Sequence, residues 1–152
     1  MITLSIDSLK KQNSKLILIV GQNSSGKTKA LQELSNNGIY PRVNLNLEIS
    51  EILSKSLEIE PDWEKLLEKL INSYQSDILL FDNAELLFTK DFNIDPIRLL
   101  KSQNRKKVII MAWNGEYNGT TLTYGNPGDE DYRKFSSNDL DGIEIIKISD
   151  LR

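Results

Sequence analysis

Gly21-Gln22-Asn23-Ser24-Ser25-Gly26-Lys27-Thr28 fits the pattern G-x-x-x-x-G-K-[ST] at every fixed position. Ahead of it, Leu16-Ile17-Leu18-Ile19-Val20 is an unbroken apolar run with the length of a buried strand. Behind it, Ala30, Leu31 and Leu34 fall at helical spacing. A strand before and a helix after is the setting that gives this pattern its meaning as a phosphate-binding loop. At average residue frequencies the four fixed positions coincide in about 3 of 100,000 windows, so chance is a poor explanation. The competing reading is a solvated Gly/Ser turn joining two core elements.

The chemistry explains the residue types. Gly21 and Gly26 are expected to allow backbone dihedrals that a Cβ forbids and close approach to phosphate. Successive amides, with the helix N-terminus behind them, then form an anion cradle. Gln22, Asn23, Ser24, Ser25 and Lys29 complete the expected contact set. Lys27 is expected to reach the β- and γ-phosphates of ATP, and the Thr28 hydroxyl to ligate Mg²⁺.

Composition narrows the rest. At 152 residues the chain is expected to be one domain, residues 1–152, burying about 70% of its unfolded surface. The net charge of −3 gives no electrostatic footprint for nucleic acid. Without Cys there is no disulfide, iron–sulfur or thiolate-zinc chemistry, and without His no imidazole acid–base chemistry or catalytic triad. Chemistry must come from carboxylates, Lys, Arg, amides and a bound Mg²⁺. No apolar run approaches a membrane span, and Met1 to Asp7 lacks the blocks of a signal peptide, so a cytoplasmic location is expected.

Along the chain, residues 1–14 read as an N-terminal arm, with Ile2, Leu4 and Ile6 alternating like a short edge strand before a polar turn from Lys10 to Ser14. Asn36-Asn37-Gly38 stops the first helix. Val43, Leu45 and Leu47 repeat at period two, predicting a second strand within Pro41–Leu47; Ile49, Ile52, Leu53 and Leu57 predict a short helix after it. Trp63, Leu66, Leu67, Leu70, Ile71 and Tyr74 predict an amphipathic helix with Pro61 near its first turn. Ile78-Leu79-Leu80-Phe81-Asp82 is a short apolar strand ending in a carboxylate, and Asp95-Pro96 an N-cap and N1 pair. Val108 to Ala112 is the fourth strand. Residues 113–129 turn rich in Gly, Asn, Thr and Tyr, and Asn118-Gly119 marks that stretch as a loop or hairpin insert. A short helix is expected over Asp129–Phe135 and a last strand over Ile143–Ile148. Strands alternating with helices, most strands apolar throughout, imply an α/β fold with a parallel sheet covered on both faces.

Asp82 ends a buried strand at the edge where open α/β sheets bind ligands, and is expected to hold Mg²⁺ with Thr28. Many ATPases of this layout carry Glu directly after that Asp; here it is Asn83. Asn83 can orient water but cannot take its proton, which leaves Glu85 as the best carboxylate for that role, or as an acid on a solvated turn. In ATPases of the AAA+ type a polar residue near the end of the fourth strand contacts the γ-phosphate or the attacking water; Asn114 stands there, as that contact or as a loop Asn before Gly115. An arginine finger, often delivered from a neighbouring subunit, would come from Arg42, Arg98, Arg105, Arg133 or Arg152; Arg133 or Arg105 could serve, the alternative being a solvated surface arginine.

The phosphate loop, the Asp82-Asn83-Ala84-Glu85 box and the stretch from Trp113-Asn114-Gly115 to Tyr132-Arg133 together resemble the BrxF family, small P-loop proteins of type III BREX phage-defence systems. The resemblance extends along nearly the whole chain. Its more specific marks are Val43-Asn44-Leu45-Asn46-Leu47 leading to Glu51, and Leu122-Thr123-Tyr124-Gly125-Asn126-Pro127-Gly128. It implies a P-loop NTPase with an AAA-like core, a five-stranded sheet of order 5-1-4-3-2, and work in a bacterial anti-phage complex. The sequence departs from full AAA+ proteins in ending after the fifth strand, so no C-terminal helical lid is expected.

The leading expectation is an ATP-binding and ATP-hydrolysing subunit that assembles with itself or with other BREX-type defence proteins; DNA is a partner suggested by that context alone. The alternatives are a non-hydrolysing nucleotide switch controlling assembly, and a small-molecule kinase. Five scattered arginines supply poorly the basic lid that a kinase needs.

Overall fold

The structure, a computed structural model, describes residues 5–10, 14–56, 60–103 and 107–151. Its centre is β1 (Leu16–Gly21), with every side chain from Leu16 to Val20 buried. A strand apolar on both faces must be covered on both, and it is. Leu16, Leu18 and Val20 face one core, with Val43, Leu45, Ile49, Leu67, Ile71 and Trp113. Ile17 and Ile19 face the other, with Ile6, Leu9, Leu31 and Leu34.

Five strands run parallel in the order β2-β3-β4-β1-β7, where β2 is Arg42–Asn44, β3 Ile78–Asp82, β4 Val108–Tyr117 and β7 Ile143–Lys147. Counted as core strands this is 5-1-4-3-2, the order expected. The helices α1 (Ile6–Lys10) and α2 (Lys27–Leu34) lie on one face, and α3 (Leu45–Lys55), α4 (Trp63–Asn72) and α5 (Pro96–Lys101) on the other. Aspartates start α4 and α5 as N-caps: Asp62 accepts from the Lys65 amide at 3.2 Å and Asp95 from that of Arg98 at 3.1 Å, with Pro96 at N1. Pro61 stands just ahead of the Asp62 cap.

Four expectations are corrected. The second strand ends at Asn44, and Leu45–Leu47 already belong to α3. The Asn44 side chain caps that helix by accepting from the Leu47 amide at 3.0 Å. From there Leu45 and Ile49 point inward, while Leu47 is 57% exposed. Residue Leu57, assigned to the same helix, lies outside the described residues. The arm is not an edge strand where it is described: Ser5 and Ser8 each accept a hydrogen bond from the other's amide, at 3.1 and 3.2 Å, and this reciprocal cap starts α1. Ile2 and Leu4 fall outside the described residues.

The third and fourth corrections concern the region after β4. That strand does not stop at Ala112 but runs on to Tyr117, so Trp113 and Asn114 lie within it. Its continuation pairs antiparallel with β5 (Leu122–Tyr124), the two joined by a turn in which Asn118 Oδ1 accepts from the Thr121 amide at 2.7 Å. The hairpin half of the loop-or-hairpin expectation is therefore the one observed. Arg133–Phe135, placed in a helix from the sequence, instead forms β6 against β5, giving a seven-stranded sheet among the described residues rather than a five-stranded one. The cause is the ring cluster beneath: Trp113 is fully buried, with Phe88, Tyr124 and Phe135 edge-on at 5.1 to 5.6 Å. An extended backbone sends Phe135 and Leu122 inward together.

Leu45 and Leu47 test the revised boundary. A strand would give them the same burial, whereas the helix separates them. Leu45→Ala is expected to cost about 2–4 kcal/mol in urea unfolding, and Leu47→Lys to stay within about 0.5 kcal/mol of the parent.

Candidate nucleotide site

The Gly21–Thr28 loop leaves the C-terminal end of β1 and enters α2 without a side-chain cap on that helix. No side chain caps the first amides of α2, a positive helix end, while within the loop the Ser25 amide donates to the Gln22 carbonyl at 3.2 Å. Two glycines make the turn for different reasons. Gly26 has φ of 102°, the left-handed region, as expected. Gly21 needs no unusual dihedral; a Cβ there would meet the Ile148 side chain at 2.4 Å and Ser25 Oγ at 2.5 Å. Space is what it supplies.

Lys27 lies across the loop, almost completely buried. Its Nζ donates to the carbonyls of Gly21 at 2.9 Å and Gln22 at 2.5 Å, and to Ser25 Oγ at 3.3 Å. Burial pushes its pKa below the ordinary lysine value, and the nearby carboxylates of Asp82 and Glu85 pull the other way. Next to it, the Thr28 hydroxyl donates to Asp82 Oδ2 at 3.1 Å. The loop after β1 and the end of β3 therefore meet, side chain to side chain.

A cleft of about 400 Å³ opens over this contact. Asn23, Ser24, Gly26, Lys27 and Thr28 form its loop wall. Asp82, Asn83 and Glu85 form a second wall, and Asn114 with Tyr124 a third. Asn83 takes a left-handed conformation, φ 52°, and its amide donates to Asp82 Oδ1 at 2.9 Å, turning the chain sharply after β3. Glu85 then opens a 3-10 turn, Glu85–Phe88.

Other anticipated residues sit apart. Gln22 does not line this cleft; its side chain donates to Glu116 Oε1 at 2.7 Å. Ser25 serves as a partner of Lys27, and Lys29 is exposed on the outer side of α2. Arg133 does not reach the cleft: its guanidinium donates to the carbonyls of Ile94 and Phe88 and lies over the Phe88 ring. Arg42 and Arg98 are exposed and line no part of the cleft. Arg105 and Arg152 lie outside the described residues.

Two residues central to the arrangement were not anticipated as site residues. Asn46 holds the acidic turn from three sides: its Nδ2 donates to Glu85 Oε2 at 2.6 Å, its Oδ1 accepts from the Leu86 amide at 2.8 Å, and its own amide donates to the Asn83 carbonyl at 2.8 Å. Tyr124 brings a buried phenol to the cleft wall. The insert's composition draws attention to the stretch holding Tyr124, and only the hairpin register shows where the ring goes.

Among the described residues no group of three or more acidic side chains forms a metal cage. One hydroxyl and one carboxylate converge instead, the sparse donor set that a Mg²⁺ uses when phosphates and water supply the rest. The chain matches no protein-family model, and no curated protein is significantly similar to it. The functional reading rests on the residues themselves.

Asn46→Ala removes the anchor of the Leu86 amide and frees Glu85. A loss of about 1–2 kcal/mol in denaturant unfolding is expected, with the midpoint shifted and the slope unchanged.

Proposed function

We propose that this chain is an ATP-binding and ATP-hydrolysing subunit of the P-loop, AAA-like type, cytoplasmic, and acting through nucleotide-dependent assembly in a BREX-type anti-phage system. The observation that carries the nucleotide part is the 3.1 Å contact between Thr28 and Asp82 beside an uncapped helix end and a buried lysine. A hydroxyl and a carboxylate far apart in sequence meet where a phosphate-bound cation needs both. The strand order fits an AAA-like core. The defence setting and the partners, defence proteins or DNA, rest on the sequence resemblance alone. No helix among the described residues is long and apolar enough to cross a membrane.

In this reading the loop amides take the phosphate oxygens, and Lys27 exchanges the carbonyls of Gly21 and Gln22 for the β- and γ-phosphates. Thr28 and Asp82 would hold Mg²⁺, which when bound would offset phosphate charge. Glu85 takes the proton of the attacking water as the γ-phosphorus–oxygen bond to ADP breaks, and Asn114 donates to the terminal phosphate. A second reading, a nucleotide switch without turnover, is favoured by two observations: the Asn46 side-chain amide already donates to Glu85 at 2.6 Å, and the residue after Asp82 is Asn83.

Calorimetric titration with Mg-ATP tests the binding claim. Lys27→Ala is expected to weaken ATP by about two orders of magnitude with an unchanged circular dichroism spectrum; undiminished affinity would overturn the assignment. Phosphate release that Glu85→Gln abolishes supports hydrolysis, and binding with no release in the parent supports the switch. Mass measurement with and without a slowly hydrolysed ATP analogue reads assembly directly.

A further inference from the structure

Tyr124 is only 4% exposed, yet it lines the cleft. Strand β5 places it opposite Gly115, one residue past Asn114. Its ring stacks on Phe88 with centroids 3.4 Å apart and planes 3° from parallel, and meets the Trp113 ring edge-on at 5.6 Å. The phenol is thus fixed by packing on two sides. Phe88 closes the same 3-10 turn that Glu85 opens, so phenol and carboxylate share one support.

The polar end of Tyr124 faces a particular company. Beside the cleft, a smaller cavity of about 180 Å³ joins Tyr124 with Asn114, Glu85 and Asp131. Burial above all, then the charges of Glu85 and Asp131, hold the phenol's pKa far above its ordinary value against a hydrogen bond with Asn114. The hydroxyl therefore keeps its proton and remains a donor.

A terminal phosphate in this cleft would present acceptors only. Arg133, one of the two guanidiniums favoured by sequence, donates to the backbone carbonyls of Ile94 and Phe88. On the wall made by β4 and β5, the side-chain donors lining the cleft are the Asn114 amide and the Tyr124 phenol.

We propose that Tyr124 is a direct hydrogen-bond donor to the terminal phosphate of the bound nucleoside triphosphate, delivered by the hairpin to the wall shared with Asn114. This rests on the nucleotide reading of the cleft. It also gives the β4–β5 hairpin a role: discriminating triphosphate from diphosphate through neutral donors, with Arg133 kept out of the cleft.

Tyr124→Phe keeps the stacked ring and removes the hydroxyl. Calorimetry should show about tenfold weaker binding of a slowly hydrolysed ATP analogue, ADP affinity within about twofold of the parent, and an unchanged melting temperature. Unchanged affinity for the analogue, or equal losses for analogue and ADP, would reduce Tyr124 to a packing residue and overturn the proposal. In an Asn114→Ala background a further loss supports two separate donors, whereas a silent Tyr124→Phe would mean that the phenol only props Asn114. A parent protein that binds neither nucleotide would remove the underlying reading of the cleft, a result distinct from a parent that binds both while the variant behaves identically.

Discussion

The meeting of Thr28 with Asp82 is the constraint on which the arrangement depends. The two lie 54 positions apart in the chain, Asp82 closing β3 and Thr28 following β1, strands that are not neighbours. They come together because β4 lies between β1 and β3, and because all three strands run the same way. Parallel strands joined by crossovers put every carboxyl end on one edge of the sheet, where loops are free to converge. The same ordering sets Asn114, at the matching level of β4, opposite Gly21. One topological fact thus collects a hydroxyl, a carboxylate and an amide around one opening.

Elements built from strong local signals were legible in the sequence. The apolar runs of β1 and β3, the stripe of α4 and the Asp95-Pro96 start of α5 each decide their structure within a few residues. The failures come where two periods fit the same side chains. Val43, Leu45 and Leu47 alternate as a strand would, while Leu45, Ile49, Ile52 and Leu53 repeat as a helix would. What breaks the tie is the Asn44 cap, worth about 1 kcal/mol in a typical helix. Phe135 and Leu122 carry no such local signal. Their backbone is extended because Trp113 needs rings around it, and that demand comes from elsewhere in the chain.

The site divides in the same way. Lys27, Thr28 and Asp82 were readable because their chemistry is tied to motif spacing. Asn46 and Tyr124 were not, since each acts on residues far away in sequence: Asn46 accepts from an amide 40 positions on. Arg133, a finger candidate by its place in the sequence, donates within its own chain to the carbonyls of Ile94 and Phe88. A count of guanidiniums cannot tell a free one from one already bonded to carbonyls, and the fold has used this one to fasten the Phe88 turn to β6.

Charge balance ties these parts together on the proposed reading. Asp82 and Glu85 both face the cleft with Lys27, and Asp131 stands close behind Tyr124. One partly desolvated lysine cannot by itself make such a wall welcome a triphosphate. The loop amides add to its effect. A divalent cation between Thr28 and Asp82 would change the sign of the field at the point where phosphate and carboxylate come closest. Metal and nucleotide are then expected to enter as one unit. The neutral donors Asn114 and Tyr124 suit that arrangement, because they can hold a terminal phosphate without adding a fixed positive charge that would keep the product in place.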